Sequence, residues 1–239
     1  MTSTYELYYW PEIPGRGEWI RLTLEAVNAD YVDVARLPKD QGGGAEAIIA
    51  MAQKTPCIAP FAPPFIKHGD LVMAQTANIL HYLGPKLGLI PDDPTTQQFA
   101  LQLQLTIADT VAEVHATHHP IAISLTYEQQ QAEADRARSY FLQDRLSKYL
   151  SYFEQVLTEQ DQPYTFGSRL SYIDLSLFQL LSGLDYAFPT AMANAKRQIP
   201  RLRGIQARVS QEPAIAQYLN SERRLAFNAD GIFRRLEPS

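Results

Sequence analysis

The residues best suited to chemistry in this chain flank one short apolar stretch. In Pro64-Phe65-Ile66-Lys67-His68-Gly69-Asp70-Leu71-Val72-Met73-Ala74-Gln75-Thr76 a proline enters a strand, His68-Gly69-Asp70 turns, a second strand follows, and a polar pair opens a helix. A proline at a strand start marks an edge or a deliberately shaped backbone. Gln75 and Thr76 place side-chain and backbone donors at a helix N-terminus, where the macrodipole favours a carboxylate. Such a unit suits an extended, peptide-like ligand with a negative end. A second cluster, His115, His118 and His119, puts two imidazoles on one helical face. The neighbouring carboxylate, Glu113, points elsewhere on the wheel, so no good three-ligand metal set is completed and no metal is expected. Cys57, the only cysteine, lies in the loop before the third strand, where an unreactive thiol is expected.

Several short elements must position these groups. Tyr5 to Trp10 is an aromatic, β-prone run broken by Pro11-Glu12-Ile13-Pro14-Gly15. Strand alternation places Tyr5, Leu7 and Tyr9 on one face and Tyr8 on the other. Ile20, Leu24 and Val27 then recur at helical spacing, and Tyr31 to Ala35 alternates like a second strand. Gly42-Gly43-Gly44 is loop, Ala45 to Gln53 a short helix, and Pro56, Pro60, Pro63 and Pro64 lead into the strand pair. Thr76 to Leu83 reads as a helix stopped by Gly84-Pro85. The order is β-α-β-α-β-β-α.

Strand signals stop beyond residue 94. One long helix spans Thr95 to about His118, and a second runs from the capping-box sequence Thr126-Tyr127-Glu128-Gln129 to about Glu159. Others begin at Ser171, near Pro200 and near Pro213. The expected division is residues 1–84 as an α/β domain, 85–94 as a linker, and 95–239 as an all-helical domain.

The bulk properties exclude several function classes. Of 239 residues, 46% are hydrophobic and 20% charged, an ordinary globular composition. A net charge of −5 argues against general nucleic-acid binding, which needs basic patches. No apolar run approaches the roughly 18 residues that span a bilayer. The first residues lack a basic region followed by an apolar one, so no secretory signal is expected. With one cysteine, intramolecular disulfides are impossible, and a cytoplasmic location is expected.

Four segments carry a resemblance to a known family. They are Tyr9-Trp10 with Gly15-Arg16-Gly17-Glu18 and Arg21; Pro64 through Leu83; Gly167 through Leu175; and Ile199 through Leu219. In that order and spacing the chain resembles the tyrosine-type cytosolic glutathione transferases over nearly its whole length. The resemblance implies a thioredoxin-like N-terminal domain followed by an all-α domain. It implies a homodimer that conjugates the thiol of glutathione, its co-substrate, to small hydrophobic electrophiles, a detoxifying chemistry. Tyr9 becomes the thiol activator, with Tyr8 as the alternative register. A generic thiol is only a few per cent thiolate at neutral pH, and a hydroxyl donor favours the charged form.

The remaining site residues follow from the same resemblance. Arg16 pairs with the glutamyl carboxylate, Gln75 and Thr76 grip the glutamyl group, and Lys54 reaches the glycine carboxylate. Asp109 approaches the ligand of the partner subunit. Pro64 matches the family's cis-proline. The preceding Pro63 lacks the N–H that would meet the cysteinyl backbone; in an alternative register Pro63 is cis and Ala62 the donor. Tyr8, Trp10, Ile13, His115 and His119 are expected around the electrophile, Arg21 as a structural tie, and Ser171 with Asp174 as a helix cap. A glutathione-binding or interaction module of the same fold, without conjugating activity, is the alternative function.

Overall fold

The computed structural model describes residues 4–55 and 58–236; the expectation for Cys57 lies outside the described residues. β1 (Tyr5–Tyr8), β2 (Tyr31–Asp33), β3 (Phe65–His68) and β4 (Leu71–Ala74) form one sheet in the order β2-β1-β3-β4. β1 pairs with β2 in parallel, Leu7 opposite Asp33, and with β3 antiparallel, Leu7 opposite Ile66. A parallel pair needs a crossover, supplied by α1 (Gly17–Glu25). β3 and β4 form a hairpin whose turn uses Gly69 at φ +61°, a conformation glycine adopts without a Cβ clash.

The sheet separates two apolar layers. Leu7 and Ile66 face the main core together with Trp19, Ile20, Leu22 and Leu24 of α1 and Ile79, Leu80 and Leu83 of α3 (Thr76–Lys86). Tyr8 and Phe65 face a smaller cluster with Ala35 and Ile48, the latter on α2 (Ala45–Lys54). The expected alternation therefore holds within β1. Tyr9 lies beyond the last paired residue and has left the strand.

α3 does not stop at Gly84-Pro85. Pro85 is accommodated in the last turn, and Gly88 at φ +68° closes the helix, with Leu89 N–H donating to the Gly84 carbonyl at 2.8 Å. That is the six-to-one bond of a glycine-terminated helix. Gly84 serves packing instead: a Cβ there would stand 2.6 Å from the Tyr172 ring.

Helices follow from here on: α4 (Pro94–Ala116), α5 (Gln131–Tyr140), α6 (Leu146–Gln160), α7 (Tyr172–Ala187), α8 (Pro189–Ala195), α9 (Pro200–Gln211) and α10 (Pro213–Leu219). α4 starts where Asp93 accepts from the Thr96 amide and Pro94 occupies the first turn. The capping box at 126–129 closes reciprocally between Thr126 and Gln129. The helix expected after it is divided. A 3-10 turn (Glu128–Gln130) precedes α5, and a π turn (Phe141–Arg145) joins α5 to α6. Such a turn adds a residue to the helix and resets the phase of its faces, so that Phe141 and Leu146 are both buried. α8 was not legible as a separate helix; Pro189 opens it.

α7 is buried along nearly its whole length. Its cap is as expected. Asp174 accepts from the Ser171 amide and hydroxyl with one oxygen and from the Thr165 amide and hydroxyl with the other. The main core runs without a break from the sheet through α7 to Ile232 and Phe233 near the C-terminal end.

Candidate functional site

Tyr9 follows β1 directly and enters a cradle made by two glycines. Gly15 adopts φ +42°, and a Cβ on it would collide with the Tyr9 hydroxyl; a Cβ on Gly17 would stand 2.6 Å from the ring. The hydroxyl accepts the Arg16 N–H at 2.8 Å, and the Arg21 guanidinium lies 5.8 Å from the ring centroid. Burial raises the Tyr9 pKa, against the pull of the Arg16 amide and the Arg16 and Arg21 charges. The phenol therefore stays protonated at neutral pH, with its own proton free to be donated.

Tyr8 is committed elsewhere. Its ring stacks on Phe65 at 4.8 Å, its hydroxyl donates to Glu6, and burial beside that carboxylate pushes its pKa upward. Tyr8 was expected to line the electrophile pocket or to replace Tyr9, and it is corrected on both counts. Strand alternation turns it to the opposite side of the sheet, where packing occupies it.

Arg16 joins Tyr9 to the helix N-terminus singled out in the sequence. Its amide holds the Tyr9 hydroxyl, and its carbonyl lies 3.5 Å from the Thr76 hydroxyl. The first backbone bond of α3 is Ile79 N–H to the Gln75 carbonyl. The amides of Thr76, Ala77 and Asn78 are thus left as outward donors, as at any helix start. Gln75 sits at φ +71°, an uncommon region for a side-chain-bearing residue. The cis bond is Pro63-Pro64, which selects the Pro64 register over the alternative.

Other expected residues are less closely gathered. Trp10 and Ile13 line a groove of about 630 Å³ with Leu37, Lys39 and Glu46. Lys54 is exposed at the end of α2, and Asp109 is exposed on α4. Neither makes an ion pair among the described residues. Arg21 is the structural tie expected of it: fully buried, it donates to Asp33 of β2 at 2.7 Å and to the Pro14 carbonyl at 3.2 Å.

The three histidines meet at the end of α4, with one ring nitrogen of each within 4.8 Å of the others. His118 is 1% exposed and donates from Nε2 to the Ile232 carbonyl at 2.8 Å. His119 Nδ1 accepts from the Gln130 side-chain amide at 3.0 Å. Burial and nearby cations push His115 down to about 3 and His118 down to about 4, so both are neutral in the fold. Glu113 points away, bound to Arg145 and Tyr149. Arg234, on the segment after α10, lies close enough for its charge to act on all three imidazoles. Sequence reasoning missed Arg234, because nothing local reveals the path of that segment. It also missed the role of Gly15 and Gly17, for which the Gly-x-Gly spacing was an available signal.

Comparison with known proteins gives a consistent result. Residues 115–222 match the family model of the glutathione S-transferase C-terminal domain. The chain is 24% identical over 235 residues to a glutathione S-transferase of Plasmodium falciparum, covering 95% of this chain and 100% of the relative. It is 28% identical over 215 residues to glutathione S-transferase alpha-3 of Rattus norvegicus, covering 86% and 84%. Among solved structures, the Pi-class glutathione S-transferase of Onchocerca volvulus superposes with a TM-score of 0.72 at 21% identity, over 95% of this chain and 99% of that one. The thioredoxin-like domain followed by a helical domain is the fold these structures share.

Proposed function

We propose that the chain is a member of the glutathione transferase family and that it conjugates glutathione to small electrophiles, with Tyr9 as the residue that holds the thiolate. The observation that carries the reading is the Arg16 backbone, which fixes the Tyr9 hydroxyl on one side and meets Thr76 on the other. The glutamyl end of glutathione sits at the start of α3, where Gln75, Thr76 and the free amides supply donors. Arg16 adds a charge-assisted pair to the carboxylate. The tyrosine hydroxyl, already accepting an N–H, donates a hydrogen bond to the thiolate sulfur while keeping its proton, which lowers the thiol pKa so that the thiol proton leaves to solvent. Sulfur then forms a bond to the electrophilic carbon. Either a leaving group departs with its electron pair, or the adjacent carbon takes a proton from solvent. Trp10 and Ile13 line the groove beside this sulfur position, and Lys54 reaches toward the glycine carboxylate.

The active form is a homodimer. Phe61 is 97% exposed and Ile58 90% exposed in the loop before the cis bond, and Phe99 and Leu105 are exposed on α4. Burying a phenylalanine contributes about 1.5–3 kcal/mol, and a second copy is the natural cover. Asp109 is exposed on α4 as well, where it approaches the partner's ligand. No helix among the described residues is long and apolar enough to cross a membrane; a cytoplasmic, detoxifying role is part of the same proposal.

One observation favours a second reading, glutathione binding without conjugation: Pro63 offers no N–H to the cysteinyl backbone, a bond worth roughly 0.5–1.5 kcal/mol. A single experiment separates the two. Tyr9→Phe is compared with the parent by ultraviolet titration of the bound thiolate and by conjugation rate. The bound thiol pKa should rise and turnover should fall by about 10- to 1000-fold, or about 1.4–4 kcal/mol, with glutathione affinity little changed. A parent protein that binds glutathione as a thiol and conjugates nothing would establish the second reading.

A further inference from the structure

Among the described residues, the charges that act on the histidine cluster are positive, and the one carboxylate that feels Arg234 is that of exposed Glu128, which makes no ion pair with it. Two guanidiniums act on His115, those of Arg16 and Arg234, and no carboxylate is among the groups that shift any of the three imidazoles. Neither arginine side chain makes an ion pair among the described residues. The Arg234 Nε is buried and has no hydrogen-bond partner, although the guanidinium lies over the Tyr127 ring at 5.9 Å. His118 Nδ1, the unprotonated nitrogen when Nε2 donates to Ile232, is also buried without a partner and adds no donor to the site.

These features rule against a cation in the cluster. A metal would meet two guanidiniums and gain no carboxylate. His119 Nδ1 is already taken by the Gln130 amide, whose orientation is fixed because its Oε1 accepts the Ile121 amide and its Nε2 donates to the Ala122 carbonyl. The same features suit an anion. The unpaired buried Arg234 Nε–H is a donor that is costly to leave unmade, and a guanidinium fork matches a carboxylate in shape and charge.

We propose that the second substrate of this enzyme carries a carboxylate, bound by Arg234 and the free imidazole of His115 at the end of α4. The inference rests on the conjugation reading for its substrate role, though the binding site stands independently of catalysis. His118 is a positioning residue: its bond to the Ile232 carbonyl fixes the backbone two residues before Arg234. Arg16 connects this site to Tyr9, because its amide holds the Tyr9 hydroxyl while its charge reaches His115. The carboxylate would lie on the far side of the reacting carbon from the sulfur.

The test uses matched probes on the full chain with glutathione present. An unreactive nitrobenzoate and its methyl ester are titrated, and binding is followed by quenching of tryptophan fluorescence; a chloro-activated pair is then assayed for conjugation. The acid should bind about tenfold or more tighter than the ester. That ratio should collapse toward one in Arg234→Ala, recover in part in Arg234→Lys, and shrink in His115→Phe. Equal binding of acid and ester by the parent protein would overturn the inference, and so would a preference that survives both Arg234→Ala and His115→Phe. Preferential binding of the acid without conjugation of either activated probe would uphold the carboxylate site and refute the conjugation reading alone.

Discussion

At the scale of single residues, the site is built from small groups that leave room and from polar groups held neutral. Gly15 is the sharpest case: its positive φ disfavours any side chain, and its missing Cβ leaves the space that the Tyr9 hydroxyl occupies. Gly15→Ala is expected to lower the conjugation rate at least about tenfold, roughly 1.4 kcal/mol of barrier, and to shift the bound thiol pKa in the same direction as Tyr9→Phe. Steady-state kinetics with thiolate titration measures both. The buried imidazoles make a pH prediction. In the unfolded chain a histidine takes its proton near about 6.5, whereas the fold holds His115 down to about 3 and His118 to about 4. Between those values the unfolded state binds more protons, so stability falls as pH drops from about 6.5 toward 4 and is constant above. Arg16, Arg234 and His119 are the charged and titratable groups that bear on the pair. Urea midpoints across that range should decline in the parent and decline less in His118→Gln, whose amide can still donate to Ile232. The strand end before Tyr9 and the helix starts at Arg16 and at Gln75-Thr76 were legible in the sequence because each is a local pattern. Arg234 was not, because its place depends on a segment folding back over helices far away in the chain.

At the scale of elements, local chemistry decided most starts and tertiary packing decided several ends. The order β-α-β-α-β-β-α was readable from alternation and from proline and glycine punctuation. The stop of α3 was misplaced because Gly84 looks like a terminator but serves as a contact for Tyr172, while Gly88 does the terminating. The π turn between α5 and α6 has no sequence signature; it exists because Phe141 and Leu146 must both reach the core. The cap of α7 was fully legible and yields a graded prediction. Ser171→Ala removes one cap and should cost about 1 kcal/mol. Asp174→Ala leaves two backbone amides and two hydroxyls in a fully buried place without their acceptor. At about 1–3 kcal/mol per unsatisfied buried group, its cost should exceed that of Ser171→Ala severalfold, with the hydroxyls able to turn elsewhere. Chemical denaturation of the two variants checks the order; equal costs would show that Asp174 acts only through the cap.

At the scale of the whole molecule, the apolar loop before the cis bond and the outer face of α4 call for a second copy. Sedimentation at micromolar concentration should return about twice the chain mass of 26.9 kDa, and Phe61→Ser should shift the species toward a monomer. A parent protein that sediments as a monomer while binding glutathione at full strength would overturn the proposed cross-subunit role of Asp109. Within one chain, the two domains are held by polar ties as well as by the shared core. Trp19 donates to the Ser176 carbonyl, Arg223 forks onto Glu25, and fully buried Glu18 receives Arg21, Arg224 and the Tyr218 hydroxyl. These ties have a consequence for birth order on the ribosome. Chains fold broadly from the N-terminus as they emerge, yet Glu18 waits some 200 residues for Tyr218 and Arg224. Until then its carboxylate has only Arg21 as a counter-charge and faces water where α7 and α10 will stand. The first domain is therefore a scaffold in waiting, locked only when the last helices have been translated, and a nascent chain arrested between the domains should be cut readily by protease in α1, the helix that later holds the molecule together.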